Sequence, residues 1–248
     1  MINTYNETKF HKILKLIYAT QFNGKTEQKI DKFICDIVTE NKEIIEIQTG
    51  NLTSLKEKIE FFEEKNQKIR IVHPLIKEKI INTFNENGEL LSTRKSPKQE
   101  TIYSLPRKLT GIFGLLLNKN FLLEIIFVSI IEIRLKTENK TQNKTNTRRF
   151  LKNYIIQEKK LNKIENKLIF SSDKDFINLL PNSLPKIFTL SQLKFEVSKL
   201  PEIKCCNSYS IKKSLNELNY LVWILEKMNL IKKTGKNGRN WNYTIIKK

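Results

Sequence analysis

The feature that most constrains the fold is a pair of apolar runs, residues 32–38 (KFICDIV) and 44–48 (IIEIQ), each with one carboxylate set into it. Both are rich in β-branched side chains and read as strands, joined by residues 39–43 (TENKE). Alternation puts Phe33, Cys35 and Ile37 on one face of the first strand and Ile34, Asp36 and Val38 on the other. Glu46 has Ile45 and Ile47 opposite it and Ile44 beside it. A carboxylate with apolar neighbours on both faces is costly to bury unless something pairs with it. A five-residue connection pairs Val38 with Ile44 and Asp36 with Glu46 on one face, with Gln48 pointing the same way two residues on. One residue fewer would put the two acids on opposite faces. Two adjacent carboxylates repel each other unless a cation lies between them. With the backbone carbonyl of Ile47 they would form a hard oxygen site suited to Mg²⁺ or Mn²⁺, and such a cation polarises a phosphodiester and activates a water. The residues alone equally allow both acids to face solvent at strand ends.

The flanks supply order. Thr4 and Glu7 fit a capping box, and Phe10, Ile13, Leu14 and Ile17 then recur on one helical face. Ser54 and Glu57 fit a second capping box ahead of a stripe of Leu55, Ile59 and Phe62. Lys56 and Lys58 fall off that stripe and are expected in solvent. Residues 69–72 read as a third strand, so the N-terminal order is helix, hairpin, helix, strand. His73 closes that strand before Pro74, and with His11 the only other histidine, no pair for zinc or general-base work is evident.

The spacing Asp36, then Glu46-Ile47-Gln48, between two amphipathic helices, resembles the PD-(D/E)XK nuclease superfamily, which includes restriction endonucleases and archaeal Holliday junction resolvases. Residues 46–49 (EIQT), 70–74 (RIVHP) and 94–98 (RKSPK) are similar to an uncharacterised microbial family of restriction-endonuclease-like proteins. The resemblance covers roughly residues 5–75. It implies Asp36, Glu46 and the Ile47 carbonyl as ligands of Mg²⁺ or Mn²⁺, Gln48 in the place of the motif lysine, and Glu7 as a first-helix acid assisting the metal. A neutral Gln can orient a water but cannot neutralise charge building on a phosphate.

Formal charge points the same way. The chain carries +19 at pH 7, and such an excess is most often matched to a polyanion. Only seven of its 45 basic residues are Arg, so part of the Lys excess reads as drift of an AT-rich genome. Cys35, Cys205 and Cys206 are too few and too badly spaced for a disulfide framework or a zinc site. No signal peptide is read at the start. The most apolar stretch, residues 109–133, is interrupted at 118–120 and by Glu124, so it reads as buried structure and not as a membrane span.

Three parts are expected: residues 1–95, a middle region 96–170 containing a polar linker at 137–147, and residues 171–248. In the last, 189–200 and 210–228 read as helices, and Trp241, Tyr243 and Ile245 alternate along a final strand after a Gly-containing turn. Helices followed by such a hairpin resemble a winged helix. That fold would present Lys212, Lys213 and Asn216 to a major groove and Lys232, Lys233, Lys236 and Arg239 to phosphates. Arg94, Lys95 and Lys98 form a further basic turn.

The expected fold is therefore α/β (α+β): a restriction-endonuclease-like mixed sheet flanked by helices, plus a C-terminal winged helix. The expected function is metal-dependent endonucleolytic cleavage of double-stranded or branched DNA in repair, recombination or defence, by a cytoplasmic, nucleoid-associated protein acting as a homodimer without a membrane. Two alternatives are a catalytically inactive DNA-binding protein on the same scaffold and a basic structural subunit contacting RNA or an assembly.

Overall fold

A computed structural model describes residues 8–141 and 152–246. Its first helix, α1 (Lys9–Gln21), starts where the Thr8 side chain accepts a hydrogen bond from the His11 amide. The Thr4–Glu7 pattern, and Glu7 with it, lies outside the described residues. Phe10, Leu14 and Tyr18 are buried, whereas Ile13 and Ile17 are 36% and 37% exposed. The buried stripe is thus turned away from the expected one, and an anchor inside the protein accounts for it. The Tyr18 hydroxyl donates to the Glu124 carboxylate at 2.6 Å in a fully buried position.

A hairpin follows, β1 (Lys25–Ile30) against β2 (Phe33–Val38). The polar sequence KTEQKI gives β1 no apolar alternation; it forms because it needs to satisfy only one neighbour, as a charged edge strand does. Next, β3 (Ile44–Ile47) runs antiparallel to β2, a 3₁₀ turn spans Leu52–Leu55, and α2 (Lys56–Glu64) crosses over to β4 (Ile69–Phe84), which is parallel to β3. The expected Ser54–Glu57 capping box does not form. Asn51 caps the 3₁₀ turn through Thr53, and the Ser54 hydroxyl turns back to the Asn51 carbonyl.

Far from ending at residue 72, β4 continues to Phe84. β5 (Leu90–Lys95) returns antiparallel along its second half, and β6 (Phe121–Thr141) runs parallel along nearly all of it. β7 (Lys152–Phe170) pairs antiparallel with β6. The sheet has seven strands in the order β1-β2-β3-β4-β6-β7, with β5 on β4 beside β3. Residues 96–170 thus supply two strands of the same sheet, and residues 137–141 of the expected polar linker lie in β6; 142–147 lie outside the described residues. Pro74 sits inside β4 without harm, because β3 leaves that edge after Val72 and β5 joins it at Ile80.

Two apolar cores cover the faces. Under α1, Phe10, Leu14 and Tyr18 pack on Ile37, Ile45, Val72 and Ile126. On the other face Cys35, Ile44, Ile71 and Leu123 pack with Ile59 and Phe62 of α2 and with the C-terminal elements. Those are α4 (Asp173–Ile177), β8 (Ile187–Thr189), α5 (Leu190–Lys199), α6 (Pro201–Lys204), α7 (Ser208–Lys227), β9 (Ile231–Asn237) and β10 (Asn240–Ile245), with a three-stranded sheet ordered β8-β10-β9. The start of α7 is fastened to residues 97–101. Ser210 accepts from the Gln99 amide at 3.1 Å, Asn207 donates to the Pro97 carbonyl, and the Ser214 and Thr101 hydroxyls are 2.8 Å apart.

Close approach demands glycine at two positions, Gly24 against Ile37 and Gly111 against Thr53. After α3 (Pro106–Leu109), a Cβ on Gly111 would overlap the Thr53 side chain in the loop between β3 and α2. Gly111→Ala is expected to cost about 1–3 kcal/mol by overpacking, read from the urea midpoint; an unshifted midpoint would show that this loop yields freely.

Candidate functional site

The connection between β2 and β3 is held by paired bonds between Thr39 and Glu43, backbone and side chain, each at 3.0 Å. It sets Val38 opposite Ile44 and Ile37 opposite Ile45, which brings Asp36 and Glu46 to the next position, as a five-residue connection requires. There the two strands stop exchanging backbone bonds and the carboxylates take over. The Asp36 amide donates to Glu46 Oε1 at 3.1 Å, and the Ile47 amide donates to Asp36 Oδ2 at 2.9 Å. β2 also changes face here. Cys35 belongs to the core beneath α2 and Ile37 to the core beneath α1, although residues two apart on a regular strand share a face. Asp36 therefore reaches toward α1, and Glu46 toward α2.

On the α2 side, Glu46 is 4% exposed and lies 2.7 Å from the Lys58 ammonium, which also donates to the Ile34 carbonyl at 2.7 Å. The expectation that Lys58 points to solvent is corrected: it is buried at 8% exposure. A lysine stem can lie along apolar surface and carry its head to a carboxylate that would otherwise be buried alone. Lys56, by contrast, stays exposed beside Glu60. Burial pushes the Glu46 carboxyl up to about 7, with the Asp36 charge adding to the rise and Lys58 opposing it.

On the α1 side, His11 Nε2 is 2.6 Å from the Ile47 carbonyl oxygen and 3.3 Å from Asp36 Oδ2. Burial raises Asp36, but His11, the Ile47 amide and Lys15 outweigh it and hold the carboxyl below its ordinary range. Among the described residues no three His, Cys, Asp or Glu side chains form a metal-holding group. A cation here would instead draw on mixed donors: Asp36 Oδ2 and the Ile47 carbonyl, which lie 3.3 and 2.6 Å from His11 Nε2, and His11 Nε2 itself once it gives up the proton it shares with them. Asp36 is 22% exposed at the side chain, so the pocket is open on that side. The donor set fits a small divalent ion; Glu46 Oε1 is shared with Lys58 and the Asp36 amide. Sequence reading passed over His11. The one signal for it was its place between Phe10 and Leu14, on the edge of the buried stripe.

Gln48 does not face this pocket as an unengaged side chain. Its amide donates to the Asn51 carbonyl and the Ser54 hydroxyl, and its oxygen accepts from the Gly50 amide, so it ties the 49–54 loop together. His73 is fully buried. Burial first, then the Lys108 charge, push it down to about 4, against opposition from the Gln48 carbonyl and Glu100. It is the neutral ring, with Nδ1–H directed at the Gln48 carbonyl at 2.5 Å and Nε2 accepting from Lys108 at 3.1 Å.

The expected basic residues fall into separate groups. Arg94 and Lys95 lie exposed on β5, where Lys95 pairs with Glu78 at 2.6 Å. Lys98 and Lys213 line one cleft with Thr8 and Thr49. Lys212, Lys213 and Asn216 line a second along α7, together with Arg107. Lys232, Lys233, Lys236 and Arg239 line neither; Lys233 pairs with Glu226 at 2.8 Å, and Lys233 and Lys236 lie over the Trp241 ring.

No helix of the described residues is long and apolar enough to cross a membrane. No solved structure matches the chain. An uncharacterized protein of Treponema pallidum (strain Nichols) is 26% identical over 242 residues, covering 98% of this chain and 86% of that one. A family model spans residues 8–171, the whole seven-stranded sheet with α1 and α2, and the chain belongs to that family, described as a domain of unknown function (DUF8091).

Proposed function

We propose that this protein is a divalent-cation-dependent nuclease acting on DNA, with a restriction-endonuclease-like core in the seven-stranded sheet and a winged-helix-like module after it. The observation that carries the reading is the meeting of Asp36 Oδ2, the Ile47 carbonyl and His11 Nε2 at the point where β2 and β3 splay. The element order, α1, three antiparallel strands, α2, then a parallel strand, agrees with it. So do the order β8-β10-β9 and the basic hairpin at the C-terminus.

Asp36, His11 and the Ile47 carbonyl would hold Mg²⁺ or Mn²⁺, with Glu46 beside them. Such an ion polarises a phosphodiester and lowers the pKa of a bound water. The chain's own part is positioning and charge. Asp36, held below its ordinary range by His11, the Ile47 amide and Lys15, anchors the site; a cation bound there would take the place of the His11 proton. Lys58 brings from α2 the cation that the third motif position lacks, while Gln48 is committed to its loop. The test is nicking of supercoiled plasmid with Mg²⁺ or Mn²⁺. Lys58→Met is expected to lower the rate about a hundredfold, as loss of one charge-stabilising group does, and Gln48→Ala to change it little. The reverse order would return the role to Gln48, and no cleavage by the wild-type protein would end the nuclease reading.

Glu46 sets a pH dependence. Its carboxyl titrates near 7, so below that value its charge is lost. Glu46 is not among the ligands, but its charge beside them favours a cation, so Mg²⁺ affinity is expected to be higher above pH 7 than below it. Calorimetric titration across that range reads the difference, and a flat affinity would show that Lys58 already cancels the Glu46 charge.

A second reading rests on one observation. Glu46 is already neutralised by Lys58 at 2.7 Å, as in a structural ion pair. A protein that binds DNA on this scaffold without cutting it would show binding and no nicking in the same assays.

A further inference from the structure

Two clefts meet at Tyr209 and Lys213 on the outer side of α7. The smaller, about 300 Å³, opens along β4 in the gap between β3 and β5, where Pro74 and Ile76 line it. Thr8, the cap of the helix bearing His11, and Thr49, two residues after Ile47, also line it. The larger, about 1060 Å³, runs along α7 against Arg107 and Thr110.

We propose that the two clefts form one channel for single-stranded DNA, running along α7 to the end of the smaller cleft at Thr8 and Thr49. As a substrate class this rests on the nuclease reading; as a binding site it does not.

Charge argues first. The smaller cleft carries Lys79, Lys98, Lys108, Lys159 and Lys213 against the single acid Glu100. Glu132 and Glu100 partly neutralise Lys79 and Lys108, at 3.0 and 2.7 Å, but Lys98, Lys159 and Lys212 make no ion pair among the described residues. Glu217, the acid in the wall of the larger cleft, is raised above its ordinary range by burial, which lessens its repulsion of a polyanion.

Ring placement argues second. Tyr209, Lys213, Asn216, Tyr220 and Trp223 recur at helical spacing on one face of α7, and Tyr209 is 55% exposed. Exposed rings alternating with basic and amide side chains suit bases that stack and phosphates that pair. The rings are held ready. The Arg107 guanidinium lies 5.8 Å from the Tyr220 ring centre, and Phe113 meets Trp223 edge to face at 5.1 Å. From residue 209 to 223 the helix rises about 21 Å, room for about six stacked nucleotides at 3.4 Å each.

Duplex DNA fits this surface less well. Its bases are already stacked and paired, so the rings have no faces to receive. A recognition helix also needs its N-terminal end free to enter a major groove, and here that end is bonded to Pro97, Gln99 and Thr101.

The test is fluorescence anisotropy of the full chain in EDTA at fixed salt, with labelled oligothymidine and a duplex of equal length. The single strand is expected to bind at least about tenfold tighter, and Tyr209→Ala and Tyr220→Ala each to weaken it about tenfold. Lys212→Gln is expected to flatten the salt dependence by about one counterion, and Lys29→Gln on the edge strand β1, which lines neither cleft, to leave single-strand binding unchanged. Thermal melting checks each fold; if Tyr220→Ala melts early, the exposed Tyr209 carries the decision. Equal or tighter duplex binding, or ring variants that bind like the wild type, overturns the channel. Tight single-strand binding without Mg²⁺- or Mn²⁺-dependent cleavage upholds the channel and removes the nuclease reading. Cleavage of duplex with no single-strand preference does the opposite.

Discussion

Asp36→Ala is expected to lower the initial rate of plasmid nicking by about a thousandfold, the size of effect that follows when charge stabilisation around a phosphodiester is lost. Asp36 is joined to more of the site than any other side chain. It accepts the Ile47 amide, contacts His11, and holds the place at which β2 changes face. Ala also leaves the Ile47 amide without its carboxylate, costing about 1–3 kcal/mol of stability. Asp36→Asn separates the two effects, because it keeps an acceptor and removes the charge. A rate as low as that of Asp36→Ala, with the wild-type urea midpoint, is the expected result for Asn. Nicking by Asp36→Asn at the wild-type rate would contradict a metal-anchoring role.

Glu124→Ala is expected to be the most destabilising single change, at about 3–5 kcal/mol. Glu124 is fully buried in β6, where it receives the Tyr18 hydroxyl at 2.6 Å and the Arg70 guanidinium at 2.7 Å. Arg70 goes on to Glu43 at 2.9 Å and stacks over Phe22, so this network ties α1, the end of the β2–β3 connection and the middle of the sheet together. Removing Glu124 leaves a half-buried guanidinium with one partner and a buried phenol with none. Tyr18→Phe, which leaves Glu124 paired with Arg70, is expected to cost only about 1 kcal/mol. Urea denaturation reads both. Similar midpoints for the two variants would show that the network stabilises little and that packing alone holds α1.

The register that sets Asp36 beside Glu46 was legible in the sequence because it depends on parity, but the expected common face was not borne out: β2 changes face there, and the acids part toward α1 and α2. Once two apolar strands and a five-residue connection are recognised, which residues stand opposite is fixed by counting. The order of helix and strand was legible for the same kind of reason, since each period is local. What escaped depends on distant partners. β1 has no apolar alternation and exists only because β2 offers an edge. β4, β6 and β7 run far beyond their apolar centres because each is templated by the next. Lys58 lay off the apolar stripe, and only a buried carboxylate on another strand could draw it in. His11 was one of two histidines, marked in the sequence only by its place beside the buried stripe, and its role depends on the Ile47 carbonyl 36 residues away. Even the stripe of α1 was turned by a tyrosine whose partner lies 106 residues on.

The most direct measurement is the location of Mn²⁺ by anomalous scattering in crystals grown or soaked with that ion. The expected result is one strong peak at coordination distance from Asp36, the Ile47 carbonyl and His11 Nε2, lost in Asp36→Asn. Saturating Mn²⁺ with no peak between those three groups, or a peak bound elsewhere and unchanged in Asp36→Asn, would contradict the proposed site.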